Sequence, residues 1–380
     1  MSPRTLRAGA LAALLAVPLV LGGCELGHKD TTQTGYRGAG MDQITNPRLA
    51  AKQAAIPAAA YETPPDTGPR ASETYQNVQV LGNISADRFN HLMAQITQWV
   101  APPEQGCTYC HNPENMASDE KYTKTVARRM LRMTQTINTR WSSHVQQTGV
   151  TCWTCHRGNV IPNYRWAIAE GTPDMTSIVN NKRGQNAPNP NVGYASLPYD
   201  PFARYLLNGN LDQIRVAASS SYPMPQVHSA SIKDAEASYG LMMHISQSLG
   251  VNCTYCHNSQ SFRSWSLSRA QRSTAFYGIR MVRGVNDDYL NPLINVVPAN
   301  RKGPHGDPFK VNCATCHQGL SKPLGGVSMR DQAPSLWQVA ENAPLAAGTT
   351  PDQAAPPAPT APAPAVRRAF RNPEGITRRQ

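Results

Sequence analysis

Four times the chain repeats one short pattern, two cysteines separated by two residues and followed at once by histidine. The copies are Cys107-Thr108-Tyr109-Cys110-His111, Cys152-Trp153-Thr154-Cys155-His156, Cys253-Thr254-Tyr255-Cys256-His257 and Cys313-Ala314-Thr315-Cys316-His317. Cys-x-x-Cys-His is the attachment pattern of a c-type haem. The two thiols form thioethers with the haem vinyl groups, and the histidine supplies a proximal nitrogen to the iron. A redox dithiol and a Cys-rich zinc site also use paired cysteines. Neither asks for histidine directly after the second cysteine. Histidine makes up 10 of 380 residues, so four such followers arise by chance on the order of once in a million. The pattern predicts four covalent haems c.

The bulk composition agrees with that chemistry. All but one of the 9 cysteines sit in the motifs, which leaves Cys24 and no disulfide framework. Hydrophobic residues make up 40% of the chain, a modest share, but haem itself supplies apolar core. The formal charge of +12 is offset by about eight propionate charges on four haems. The basic balance therefore does not point to nucleic acid.

The elements that position the motifs follow from the pattern around them. Residues 1–23 read as an export signal: Arg4 and Arg7 precede an uncharged run too short to span a membrane. The run ends Leu21-Gly22-Gly23-Cys24, the form of a bacterial lipoprotein box, so Cys24 is the expected acylated anchor. Residues 24–75 are expected to form an extended arm on the body or on a partner. Residues 76–222 hold a first haem pair and 223–340 a second. Residues 341–380, Pro/Ala-rich and basic, are expected to be a disordered tail. Within the halves the spacing predicts a short strand at 78–81 and a helix capped by Ser85 running to Val100. The longest helix is expected over 118–147, ended by Gly149. A connector over 161–222 is broken at 198–201, and further helices cover 232–249 and 267–283. The fold class is mainly α with long irregular connections.

Helix, motif, helix, motif occurs twice, which describes two pseudo-repeated haem pairs. Aligning Ile96 with Ile245 and Gln98 with Gln247 pairs Met93 with Met242, each shortly ahead of a motif. Met243 and His244 point about 100° and 200° away from Met242 on the same helix. A lone helical methionine usually fills core, but recurrence ahead of a haem site makes Met93 and Met242 the expected sixth ligands of the first and third haems. After motifs one and three, Leu131-Arg132-Met133 matches Ile279-Arg280-Met281 and Asn138 matches Asn286, so Met130 stands opposite Gly278. Met130 is then a ligand specific to the first half, for the second haem, with Met133 the competing position. The fourth haem lacks that methionine and needs a ligand from elsewhere. His144 is available, about 21 Å further along a continuous helix and roughly 40° round it, so that one helix would reach two haems.

On these residues the chain resembles the tetrahaem cytochrome c subunit of the purple-bacterial photosynthetic reaction centre. The likeness rests on the four motifs, Leu21-Gly22-Gly23-Cys24, Val126-Ala127-Arg128-Arg129-Met130-Leu131, Gly149-Val150-Thr151-Cys152, Leu241-Met242-Met243 and Gly278-Ile279-Arg280-Met281-Val282-Arg283, and covers residues 24–325. It implies three His/Met haems, pairing His111 with Met93, His156 with Met130 and His257 with Met242, and one bis-His haem, pairing His317 with His144. It places Arg272 near the third haem. It also implies a lipid-anchored position on the periplasmic face of the inner, photosynthetic membrane. The electron donor would be a soluble periplasmic cytochrome c or a high-potential iron–sulfur protein. The acceptor would be the bacteriochlorophyll special pair held by the reaction-centre membrane subunits. The haems would run in space third, fourth, second, first, in an electron-transfer protein rather than an enzyme.

Overall fold

The computed structural model describes residues 27–35, 40–168, 189–195, 197, 200–207, 214, 216 and 232–338. The export segment, Cys24, Pro198 and the tail lie outside the described residues.

The arm is more structured than its composition suggests. Strands β1 (Asp30–Thr34) and β2 (Met41–Thr45) form an antiparallel hairpin, and α1 (Pro47–Ala54) follows, capped by the Asn46 side chain. The hairpin lies on the third motif, where Thr34 Oγ1 donates to Asn252 Oδ1 at 2.8 Å and the Met41 N–H to Thr254 Oγ1 at 2.9 Å. The end of α1 is held at the second motif by Arg157 Nη1 on Gln53 O and Trp153 Nε1 on Ala55 O.

Helix α2 (Ala86–Val100) begins where Ser85 Oγ accepts the Arg88 N–H. No strand forms at 78–81, because Leu81 adopts a left-handed φ of 66° and drops its side chain beside Leu92 and Trp99. Helix α3 (Tyr122–Arg140) is shorter than expected at both ends. Ser118 is not its cap but lies in the loop before it, accepting the Glu120 N–H. At the far end Trp141 leaves helical geometry (ψ 29°) and buries its indole among Ile137, Val150 and Met281. The turn α4 (Ser142–Val145) follows in a new direction and packs on α7 (Gln271–Gly284). Met130 and His144 are therefore not on one straight rod. Gly149 then ends the segment at φ 59°, where a Cβ would meet the Trp337 ring at 2.3 Å.

The second motif is itself a helix, α5 (Cys152–His156). Helix α6 occupies Ile232–Leu249, as expected. Helix α7 begins four residues later than expected and runs on into a π-helical turn, Val285–Leu290. The fourth motif forms α8 (Cys313–His317). A two-residue ladder joins β3 (Arg165–Trp166) to β4 (Lys310–Val311), tying sequence ahead of α6 to the approach to α8.

Three apolar clusters hold these pieces together. Leu92, Trp99 and Leu131 pack with Leu324, Met329 and Leu336 from the far end of the described chain. Phe202, Tyr205 and Leu206 cover Leu241, Ile245, Ile279 and Val282. Ile137, Trp141 and Val150 meet Met281, Val285 and Leu290. All three thus join residues from both sequence halves. Among the described residues no helix is long and apolar enough to cross a membrane.

Candidate haem sites

The four motifs come in two backbone forms that alternate along the chain. The first and third are 3₁₀ turns, Gly106–Tyr109 and Cys253–Tyr255. The second and fourth are the short helices α5 and α8, each followed by a residue at φ 51°, Arg157 and Gln318. Both helices are capped reciprocally: the Thr151 and Asn312 N–H groups donate to Thr154 Oγ1 and Thr315 Oγ1, each at 2.9 Å. The residue just before each cap is clamped by a buried asparagine. Asn138 Nδ2 donates to Val150 O (2.9 Å) and Leu336 O (2.9 Å), while its Oδ1 accepts the Val150 N–H (2.7 Å). Asn286 makes the same set with Val311 O (3.0 Å), Leu206 O (3.1 Å) and the Val311 N–H (2.9 Å). These are the two asparagines that the sequence alignment paired.

Every motif histidine is pinned through one nitrogen. Nδ1 meets a backbone carbonyl five residues on in His111 (Met116 O, 3.0 Å) and His257 (Phe262 O, 3.0 Å). It meets one three residues on in His156 (Asn159 O, 2.9 Å) and His317 (Leu320 O, 2.9 Å). A carbonyl only accepts, so Nδ1 carries the proton and Nε2 keeps its lone pair. That is the tautomer and ring orientation an axial ligand requires. Burial also lowers the pKa of His156, and that of His257 with a further push from the Arg272 charge. His317 is brought down to about 4 by burial and by His144. Neutral imidazoles follow.

His144 reaches the fourth motif from α4. Its Nδ1 donates to Thr274 O at 2.9 Å, and its ring centroid lies 6.0 Å from that of His317. Two metal–imidazole bonds of about 2.0 Å each plus the two ring radii span roughly 6 Å, so this pair fits one iron held between them.

Met93, Met130 and Met133 line a single cavity of 820 Å³ together with His111 and His156. The cavity is continuous between the first two motifs, and both candidate methionines on α3 face it. On α6, His244 is not a free ligand. Its Nδ1 donates to Asn191 O at 3.0 Å, its Nε2 meets Ser248 Oγ at 3.2 Å, and its edge packs on Phe202 at 4.5 Å. Met243 faces Gly193, its Cε 3.5 Å from the position of a Cβ there. Met242 packs at the edge of the Phe202 cluster. Arg272 donates to Ser264 O and Ser268 Oγ and stacks 4.2 Å from the Trp265 ring centroid. The second and fourth motifs touch, with Cys155 Sγ 2.7 Å from Cys316 Sγ.

The alternatives for the cysteines lose ground on the same geometry. Burial pushes the Cys152 and Cys313 thiols up to about 12, the opposite of a reactive dithiol. Among the described residues no three His, Cys, Asp or Glu side chains converge on one metal-sized point, as a zinc site requires. Thiols in Cys-x-x-Cys-His turns beside imidazoles with free Nε2 atoms define a c-type cytochrome.

The family model described as the photosynthetic reaction centre cytochrome C subunit matches residues 25–337. The protein of that name from Rubrivivax gelatinosus is 48% identical over 332 residues, covering 87% of this chain and 89% of the relative. That of Thermochromatium tepidum is 45% identical over 349 residues, covering 91% and 85%. That of Roseobacter denitrificans is 39% identical over 320 residues, covering 80% and 84%. The chain belongs to the photosynthetic reaction centre cytochrome c subunit family, a family of electron-transfer subunits and not of enzymes.

Sequence reasoning missed three features of the sites. The clamping role of Asn138 and Asn286 was signalled by their recurrence. The carbonyls that orient the imidazoles had no signal, since any residue carries one. The contact between Gly278 and His144 joins separate elements and was equally silent.

Proposed function

We propose that the chain carries four covalently attached haems c in two pseudo-repeated pairs. They relay electrons from a soluble periplasmic cytochrome c or high-potential iron–sulfur protein to the photo-oxidised bacteriochlorophyll pair. Haem, when bound, supplies a one-electron iron couple whose potential depends on its axial ligands. The chain's own part is to hold those ligands. His111, His156, His257 and His317 would hold the irons through Nε2, with Met93, Met130 and Met242 as the second ligands of the first three and His144 as that of the last. Methionine raises the potential and a second histidine lowers it, so the fourth haem is a low step in a chain where high and low steps alternate.

The 6.0 Å separation of the His144 and His317 ring centroids carries this reading. A haem with imidazole on both sides has no position open to a substrate, which suits electron transfer. The order third, fourth, second, first draws support from three contacts. Gly319 N donates to Ser248 O at 2.8 Å, linking the helix ahead of motif three to motif four. Cys155 touches Cys316, and motifs one and two share the cavity. Cys24, acylated, is the anchor on the periplasmic face of the membrane.

The test is ligand saturation. Fully reduced holoprotein at neutral pH is expected to bind little carbon monoxide and to copurify with pigment-bearing membrane subunits. Stoichiometric carbon monoxide binding at one haem of the untreated protein overturns the saturated set.

A further inference from the structure

We propose that Gly278 selects the ligand of the fourth haem: by lacking a side chain it admits the His144 ring between α7 and His317. The proposal rests on His144 and His317 being the axial pair of one iron.

Gly278 is buried within α7, in helical geometry. Glycine is a poor helix former, so an interior helical glycine calls for a packing reason. Its backbone needs none, because φ is not positive there. Its surroundings supply one. A Cβ at 278 would lie 2.5 Å from His144 Cε1, 2.8 Å from Nδ1 and 3.1 Å from Nε2. These are ring atoms, not the end of a flexible chain. The ring cannot retreat without loss, since its Nδ1 is bonded to Thr274 O on the preceding turn of α7. On another side stands His317. Even a methyl group at 278 would displace the imidazole from the place where it faces its partner.

The equivalent position on α3 is Met130, which lines the cavity of the first two motifs. One helical position thus has two uses. In the first half it carries a side chain that can reach an iron. In the second it is empty, and the space is taken by a histidine from the other half. The choice between a His/Met and a bis-His haem is made at this position as much as at His144.

The experiment uses full-length holoprotein with four haems, and reads ligation by paramagnetic resonance and near-infrared magnetic circular dichroism. Gly278→Ala is expected to abolish the bis-His signal and leave one high-spin haem that binds one equivalent of carbon monoxide, with three His/Met haems intact. His144→Ala should do the same. In the double variant His144→Ala/Gly278→Met, the low-spin signal should return as a fourth His/Met haem with a raised midpoint potential. Survival of the bis-His signal in Gly278→Ala but not in His144→Ala overturns the proposal and leaves the His144 assignment standing. Survival in His144→Ala overturns both. If Gly278→Ala does not accumulate, Gly278→Ala/His144→Ala must recover to the yield of His144→Ala alone. Failure of that rescue means the collision is not with the ring, and the proposal falls. A haem still high-spin in His144→Ala/Gly278→Met removes the equivalence with Met130 and the selection with it.

Discussion

A buried asparagine that serves a backbone N–H and two carbonyls at once has no apolar substitute. Asn286 is fully buried and Asn138 nearly so, and each fixes the residue from which a Cys-x-x-Cys-His helix departs. Alanine at either position removes three hydrogen bonds to buried backbone, although Val311 O keeps its bond from Trp166 Nε1. The expected loss is about 2–4 kcal/mol, read as a lower thermal midpoint of the holoprotein. The loss should be local in the spectrum. Asn138→Ala should broaden the signals of the haem on His156, and Asn286→Ala those of the haem on His317. Equal disturbance of all four haems by either variant would show that the clamps act on the whole core and not on single motifs.

Between residues and fold stand the loops that carry the proximal carbonyls, and the loop after the first motif shows how one is fastened. Met116 O accepts from His111 Nδ1 and also from Lys124 Nζ at 2.9 Å. Lys124 and Arg128, on α3, both pair with Asp119 Oδ1, at 3.3 and 2.9 Å. Asn77 Nδ2 adds a further bond to it at 2.9 Å. The Arg128 and Asn77 hydrogen bonds hold the Asp119 carboxyl well below its ordinary value of 3.8. A depressed folded pKa means that the unfolded chain takes up the proton first. The stabilisation is therefore complete above about pH 4 and is lost as pH falls below that. The carboxylate is exposed, so the effect is small. Asp119→Asn should lower the thermal midpoint slightly at neutral pH and flatten its decline below about pH 4. An unchanged acid slope would place the acid sensitivity elsewhere.

At the scale of the molecule the two halves are interlocked. Residues 324–336 close the core of the first half, β3 pairs with β4, and His144 crosses to the fourth motif. The arm runs over the outside from the third motif to the second, leaving Ile44 and Leu49 exposed on it. No helix among the described residues is long and apolar enough to cross a membrane; the proposed function makes acylated Cys24 the attachment. Cys24→Ser should release the isolated subunit into the soluble fraction while its haem spectrum stays unchanged. Tight membrane binding of that variant would remove the lipid anchor from the proposal.

The chemistry of this protein was legible in the chain because it is local. Cys-x-x-Cys-His needs only adjacent residues to define an attachment site. The start of α2 follows from its Ser85 cap, which is local as well. Recurrence added the pairing of Met93 with Met242, of Asn138 with Asn286, and of Met130 with an empty position at Gly278. Tertiary packing decided what distance along the chain conceals. It broke the expected long helix at Trp141, because burying that indole against Met281 outweighs one more turn of helix. It folded part of the arm into a hairpin, whose backbone finds partners at Asn252 and Thr254. It left His244 with no free nitrogen and gave each motif histidine a carbonyl that frees Nε2. It also set the His144 ring against Gly278, a steric fit between residues 134 positions apart that no local pattern records.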